Sequence, residues 1–475
     1  MNQTRNTKSR KASHLIAVLT VFTMLFCLAG CGKKTPRETL EEAYEKTFTE
    51  NNPTENLLGL SELNTKLTGS KAHSTGFSFT IQELSCEELG EYAAFLSGLG
   101  LSVDSASDLL NRKSAATLDI TYGGTTYLTL GGQIQDSEIY LTSPQLLDNS
   151  ISVNLSTLEE DLNSDSLIAQ LIRAYGIAVP ENLSADLFST FASTTALTNL
   201  GKLTSACEDL NDAILVETLD KKEVSLPANI SSKTVYSVTI PEYAYAAVLN
   251  ALIDLSADYS STLSDSSASD DLTQEDYDLL NTKLAIQQLA ETIGDLVLTV
   301  SVTKDGTINY VASTIAQGSD SISFTATFTG ETNPLDEIAV NLNVVAQGTT
   351  LGIAYEQFFD SQDNEIAIFM NATADGTTVC TFGCVGQYSD IEKGKKYAFD
   401  YDYIEFEIKD LLFISLSGDF YVDTTKCNIT APGEAKYNLL RMDATDFSEL
   451  YEEVERNLQE NPIFSTLFGA LDFGM

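Results

Sequence analysis

Apolar residues along this chain follow two periods, about four residues in some stretches and two in others. Leu40, Tyr44 and Phe48 lie one turn apart behind Thr35-Pro36-Arg37-Glu38, where a threonine cap, a proline in the first turn and a capping-box glutamate predict a helix over residues 36–51. A second helix is expected over 55–67. From His73 the period falls to two. Phe77, Phe79 and Ile81 alternate with polar residues, as do Leu118, Ile120 and Tyr122, and Gly123-Gly124 before Thr126-Tyr127-Leu128 predicts a hairpin. Short strands are expected at 137–141 and 151–155, and a helix at 87–99 that packs Tyr92, Phe95 and Leu96.

Ser156-Thr157-Leu158-Glu159 is a further capping box and opens a mostly helical segment over 156–219, interrupted near Pro180 and Gly201. Its Leu167, Ile168, Leu171 and Ile172 share a stripe. The segment reads either as a layer on one face of a sheet or as an inserted cap. A strand at 233–240 ends at Pro241 and a helix follows at 243–255. Residues 259–271, rich in Ser and Asp, are the clearest loop and the expected subdomain boundary.

After a helix at 273–293 the pattern turns to strands at 296–302, 308–315, 321–328, 338–345, 350–355, 365–371, 377–384, 397–408 and 412–422, with tight turns at Lys304-Asp305-Gly306 and Ala374-Asp375-Gly376. A helix from Phe447, with Leu450, Tyr451, Val454 and Leu458 facing a core, and an apolar tail containing Phe464, Leu467 and Phe468 close the chain. The expected fold class is α+β: a large curved antiparallel sheet, a half-barrel-like meander, covered by helices. The expected organisation is a leader over 1–30, N-terminal helices in 31–72, an α+β subdomain over 73–258, the loop 259–271 and a β-meander subdomain over 272–475. Both halves share a rough order of helix and then strand pairs, which a duplicated ancestor or chance similarity among hairpins would equally produce.

Charge narrows the partners. Of 475 residues, 27 are Lys or Arg and 68 Asp or Glu; the first thirty hold four basic and no acidic residues, so the remainder carries 23 against 68, a net of −45. Such a chain repels phosphate backbones and anionic head groups, and no nucleic acid is expected as a partner. The acidity serves solvation, with attraction of divalent cations or basic wall components as the alternative. Asp270, Asp271 and Glu275, with Asp276 and Asp278, crowd one loop-to-helix junction and are weak calcium candidates, but they lack the alternation of an EF-hand loop and suit a helix N-terminus for dipole reasons alone. No cofactor is expected.

Cys86, Cys207, Cys380, Cys384 and Cys427 are an odd number and too sparse for a disulfide scaffold. In one strand Cys380 and Cys384 would share a face but stand about 13 Å apart, so a bond needs a bend at Gly383; buried free thiols are the other reading. Catalytic groups are scarce. His73, in Lys71-Ala72-His73-Ser74, has no nucleophile elbow beside it, and His14 lies in the leader. In Asp-Tyr-Asp-Tyr-Ile-Glu-Phe-Glu, strand parity puts Asp400 and Asp402 on one face and Glu405 and Glu407 on the other, with a bulge near Ile404; a solvated sheet face is expected rather than the paired acids of a hydrolase. The chain is not expected to be an enzyme.

Arg5, Lys8, Arg10 and Lys11 precede an apolar run from Leu15 that ends in Leu28-Ala29-Gly30-Cys31. The pattern resembles a bacterial lipoprotein signal with its lipobox. That resemblance implies cleavage between Gly30 and Cys31, a diacylglyceryl group on the Cys31 thiol, and attachment to the cell membrane at its extracytoplasmic face; the alternative is an uncleaved signal anchor. In outline the sheet-rich stretches resemble the LolA and LppX type of envelope lipoprotein, which implies an apolar cavity and a lipid or amphiphile as ligand. Phe324, Phe328, Ile353 and Phe369 would then line the cavity or pack the core. A surface protein that binds another protein or a wall polymer is the second reading, and an acid-pair hydrolase the third.

Overall fold

The computed structural model describes residues 35–68, 71–175, 194–263, 274–331, 333–430, 432 and 435–461. In chain order the elements are α1 (Pro36–Tyr44), continued by a π turn at Glu45–Glu50, then α2 (Pro53–Leu58), α3 (Leu60–Thr68), β1 (His73–Cys86), α4 (Glu91–Leu96), β2 (Leu99–Asp108), β3 (Lys113–Tyr122), β4 (Thr125–Gln135), β5 (Glu138–Thr142), β6 (Ile151–Asn154), α5 (Leu158–Leu162), α6 (Leu167–Ala174), α7 (Thr194–Ala213), β7 (Leu215–Leu219), β8 (Thr234–Ile240), α8 (Glu242–Leu263), α9 (Gln274–Ile293), β9 (Leu296–Val302), β10 (Ile308–Gln317), β11 (Asp320–Phe328), β12 (Glu337–Ala346), β13 (Thr349–Asp360), β14 (Glu365–Ala374), β15 (Thr377–Glu392), β16 (Lys396–Ile408), β17 (Leu412–Asp423), β18 (Tyr437–Asn438) and α10 (Ala444–Glu460). Among the described residues the strands make a large antiparallel sheet, in which the short β6–β18 pair is parallel. Sheet dominates helix more than expected. Two compact units divide the chain, the first drawn from residues 1–52, 192–357 and 371–377, the second from 53–191, 358–370 and 378–475.

In the first unit β7 to β12 pair in sequence order. One face, with Tyr236, Val238, Leu298, Val300, Val311, Phe324 and Phe328, is roofed by α1, α7, α8 and α9. Leu210 and Leu298 are fully buried there. Polar clamps fix the roof: the Arg37 guanidinium donates to the Asn211 carbonyl at 2.6 Å, and the Tyr245 hydroxyl donates to the Gly294 carbonyl at 2.9 Å. Burial first, then Glu242 and Asp295, pushes the Tyr245 phenol up, so it stays a donor.

Several sequence expectations are corrected. The helix over 36–51 becomes a wider π coil in its last six residues. The helix over 55–67 is two helices broken at Gly59, whose φ of +65° and near approach to Gly394, 2.8 Å from where a Cβ would stand, leave room only for glycine. The helix over 87–99 is only α4; Leu99, Leu101 and Val103 alternate in β2, a strand the sequence reading lacks. Residues 215–219 are strand, because pairing with β8 overrides the helical setting, and α7 runs through Gly201 unbroken, while Pro180 lies outside the described residues. Of the segment 259–271, expected as a loop, residues up to Leu263 continue α8, and residues 264–271 lie outside the described residues. In α10 the inward group is Glu453, which accepts from the Asp148 N–H at 2.6 Å, whereas Tyr451 is 61% exposed.

The second unit orders its strands β15-β16-β17-β1-β2-β3-β4-β5-β6-β18. The hairpin at Gly123-Gly124 forms as expected, with φ of +55° and +78° as a primed turn demands.

Candidate apolar binding face

Register in the second unit sorts side chains onto two faces. Opposed in a continuous row are Tyr388, Phe399, Phe420, Phe77, Val103, Leu118 and Leu130, one from each of β15, β16, β17, β1, β2, β3 and β4. Seven strands at ~4.8 Å spacing make this row roughly 29 Å long. The next row is Gly386, Tyr401, Gly418, Phe79, Leu101, Ile120 and Leu128. Helices reach this face at its far end, where α5 and α6 pack Leu158, Ile168 and Ile172 against Ile139 and Val153. The middle stays open: Phe77 is 44% and Leu130 40% exposed.

Aromatic rings stiffen the β15–β17 end. Tyr388, Phe399, Tyr397 and Phe420 form a chain of tilted and edge contacts with centroids 4.8 to 6.0 Å apart. The Tyr401 hydroxyl lies against Gly418, 2.5 Å from where a Cβ would stand, and donates to the Ser78 carbonyl. Burial first, then Asp419 and Cys384, raises the Tyr401 phenol to about 12, and burial likewise raises Tyr388 to about 12. A Cβ at Gly418 would stand 2.1 Å from the Ser78 carbonyl oxygen. Gly418→Ala is therefore expected to destabilise the second unit by about 1–3 kcal/mol, read as a lower urea midpoint at unchanged slope. An unaltered midpoint would show that the strands open without cost.

The opposite face is polar. Asp419 lies between Asp400 and Ser78, Ser102 lies opposite Asp119, and the Tyr421 hydroxyl donates to Asp104 at 2.7 Å. Here the expected carboxylate arrangement is corrected. A bulge at Asp402 and Tyr403 inverts the strand's parity, so Asp400, Glu405 and Glu407 share this face with Asp419, while Asp402 falls in the bulge. The Ser389 hydroxyl donates to Asp400 at 2.7 Å, and Ser78 donates to Asp419, which relieves two carboxylates set opposite one another.

Other candidates separate. Gly30, Cys31, Asp270, Asp271, Phe464, Leu467 and Phe468 lie outside the described residues, and Glu275 is the second residue of α9; among the described residues no three metal-ligating side chains converge. Cys380 and Cys384 lie in one unbroken stretch of β15, both free, and burial raises the Cys384 thiol. His73 Nδ1 sits 2.8 Å from the Lys71 carbonyl; the Cys427 thiol donates to the Ser107 carbonyl at 3.4 Å and is pushed up by burial, the reverse of an activated nucleophile. Phe324 and Phe328 are core of the first unit, and Ile353 and Phe369 are half-buried. The sequence reading had Phe77 and Phe79 as strand residues but lacked their partners Leu101 and Val103; the period-two run Leu99, Leu101, Val103 was the available signal.

Among the described residues no helix is long and apolar enough to cross a membrane. No family model and no curated protein matches the chain. Among solved structures, the CymD monoaromatic hydrocarbon channel aligns over 78% of this chain and 93% of its own at 9% identity, with a TM-score of 0.16. A loop L8 deletion mutant of OmpT, an outer membrane protein of Vibrio cholerae, covers 74% and 97% at 8% identity and a TM-score of 0.15. Scores this low carry no argument about fold or function.

Proposed function

We propose that this chain is a lipid-anchored extracytoplasmic lipoprotein, held at the cell membrane through Cys31, and that the sheet of its second unit is a curved, half-barrel-like platform that binds an apolar or amphiphilic ligand without catalysis. The anchor reading rests on Leu28-Ala29-Gly30-Cys31 behind a basic and then apolar leader. The binding reading rests on one observation, the apolar row across seven strands left open at Phe77 and Leu130. Large exposed apolar area is unfavourable in water and marks an interaction surface. The second reading, contact with a basic wall polymer or a partner protein, draws support from the carboxylates of the opposite face.

Titration of the chain beginning after Cys31 with a fluorescent fatty-acid probe tests the binding reading. Phe77→Asp removes a phenyl contact worth about 1.5–3 kcal/mol and sets a charge in the row, so probe affinity is expected to fall at least ~10-fold with circular dichroism unchanged. Equal affinity in both proteins would remove the apolar face from the account. Native mass spectrometry of the same form from its own host would then weigh the second reading.

A further inference from the structure

The Asn457 amide of α10 donates to the Leu146 carbonyl at 3.1 Å, and four residues on the Asn461 amide donates to the Tyr127 carbonyl of β4 at 2.8 Å. Tyr127 precedes Leu128, and Leu128 and Leu130 are the β4 members of the two apolar rows. The chain therefore leaves α10 at the strand on which those rows end. Residues 462–475 follow and lie outside the described residues. Eight of these fourteen are apolar and Asp472 alone is charged, in a chain of which 20% is charged. Ile463, Phe464, Leu467, Phe468 and Leu471 fall on one stripe at helical spacing. We propose that this segment occupies the apolar face in the ligand-free protein, lying across Leu130 towards Phe77, and that a ligand binds by displacing it. The proposal rests on the apolar-face reading above and adds its regulation. Reach is sufficient: β4 to β1 is three strand spacings, roughly 14 Å, and fourteen residues span about 21 Å coiled or more than about 42 Å extended. Two apolar surfaces lose exposed area when they meet, and the hold at Tyr127 gives the segment a high effective concentration at the face. Occupancy then lowers the apparent affinity for a ligand in proportion to the fraction of chains whose face is free.

The chain beginning after Cys31 is titrated with a fluorescent fatty-acid probe alongside a form that stops at Asn461. Loss of the segment is expected to tighten probe binding about 10-fold, the change that nine-tenths occupancy implies. Phe464→Asp with Phe468→Asp in the longer chain keeps its length and should tighten binding equally. Unchanged or weaker binding in both forms overturns the proposal. A benzophenone amino acid in place of Leu130 reads the occupant directly. Irradiation should join it to a peptide within 462–475 of the same chain, and excess probe should suppress that product. A cross-link to a second copy, or to no part of 462–475, overturns the assignment. Phe77→Asp in the form that stops at Asn461 separates the two readings. If the probe binds that variant as before, the apolar face itself fails; if binding falls there while deletion and the paired aspartates change nothing, only the occupant fails.

Discussion

Cys31→Ala is expected to abolish acylation completely and to leave a precursor that still carries residues 1–30. The lipobox reading allows one acceptor, the thiol at the cut site, and alanine supplies none. Each buried methylene of an acyl chain contributes about 0.8 kcal/mol, so two chains hold a protein stably where one is marginal. Labelling with a radioactive or clickable fatty acid, together with the intact mass of the membrane fraction, reads both effects. An alanine variant that is still processed and still retained at the membrane would refute the anchor. Serine at the same position separates size from chemistry, because it preserves the small side chain but not the thiol, and it should fail equally.

Leu298→Ala is expected to destabilise the first unit by about 2–5 kcal/mol, a large share of the roughly 5–15 kcal/mol available to a folded domain. Leu298 is 1% exposed in the middle of β9, beneath the helical roof, and lost methyl groups there leave a void that rigid neighbours on the sheet fill only in part. Leu215→Ala in β7 is the control: the side chain is 62% exposed and its loss should fall within about 0.5 kcal/mol. Urea unfolding followed by circular dichroism compares the two. Equal midpoints would mean that the packed layer under α8 and α9 is not what holds this unit.

Local chemistry and periodicity sufficed for the elements whose determinants lie within a few residues. Thr35 and Glu38 form the expected capping box on α1, and Leu296–Val302 is a strand at its expected bounds. Asp375-Gly376 makes its turn with both φ angles positive. Reading of this kind fails where a distant partner decides. Leu215–Leu219 follows a helix directly and is a strand only because β8 offers its edge. Leu99 reads as the end of a helix until β1 and β3 pair on either side of β2. Nothing in the residues around Gly59 announces the breaking contact, which comes from Gly394.

The same limit governs the candidate site. Alternation at Phe77 and Phe79 says that one face of β1 is apolar but not which strands extend that face, nor whether a helix covers it. Register across seven strands supplied the answer, and the bulge at Asp402 reversed the faces assigned to Glu405 and Glu407, since a single extra residue inverts strand parity. By itself the sequence determined the acidic character, the lipobox-like order Leu28-Ala29-Gly30-Cys31, the alternation of strands and the scarcity of histidine, all of them properties of composition or of neighbours along the chain. Only the tertiary structure decided the two interleaved units, the course of the apolar rows and their openness at Phe77, because each depends on pairing between residues that lie far apart in the sequence.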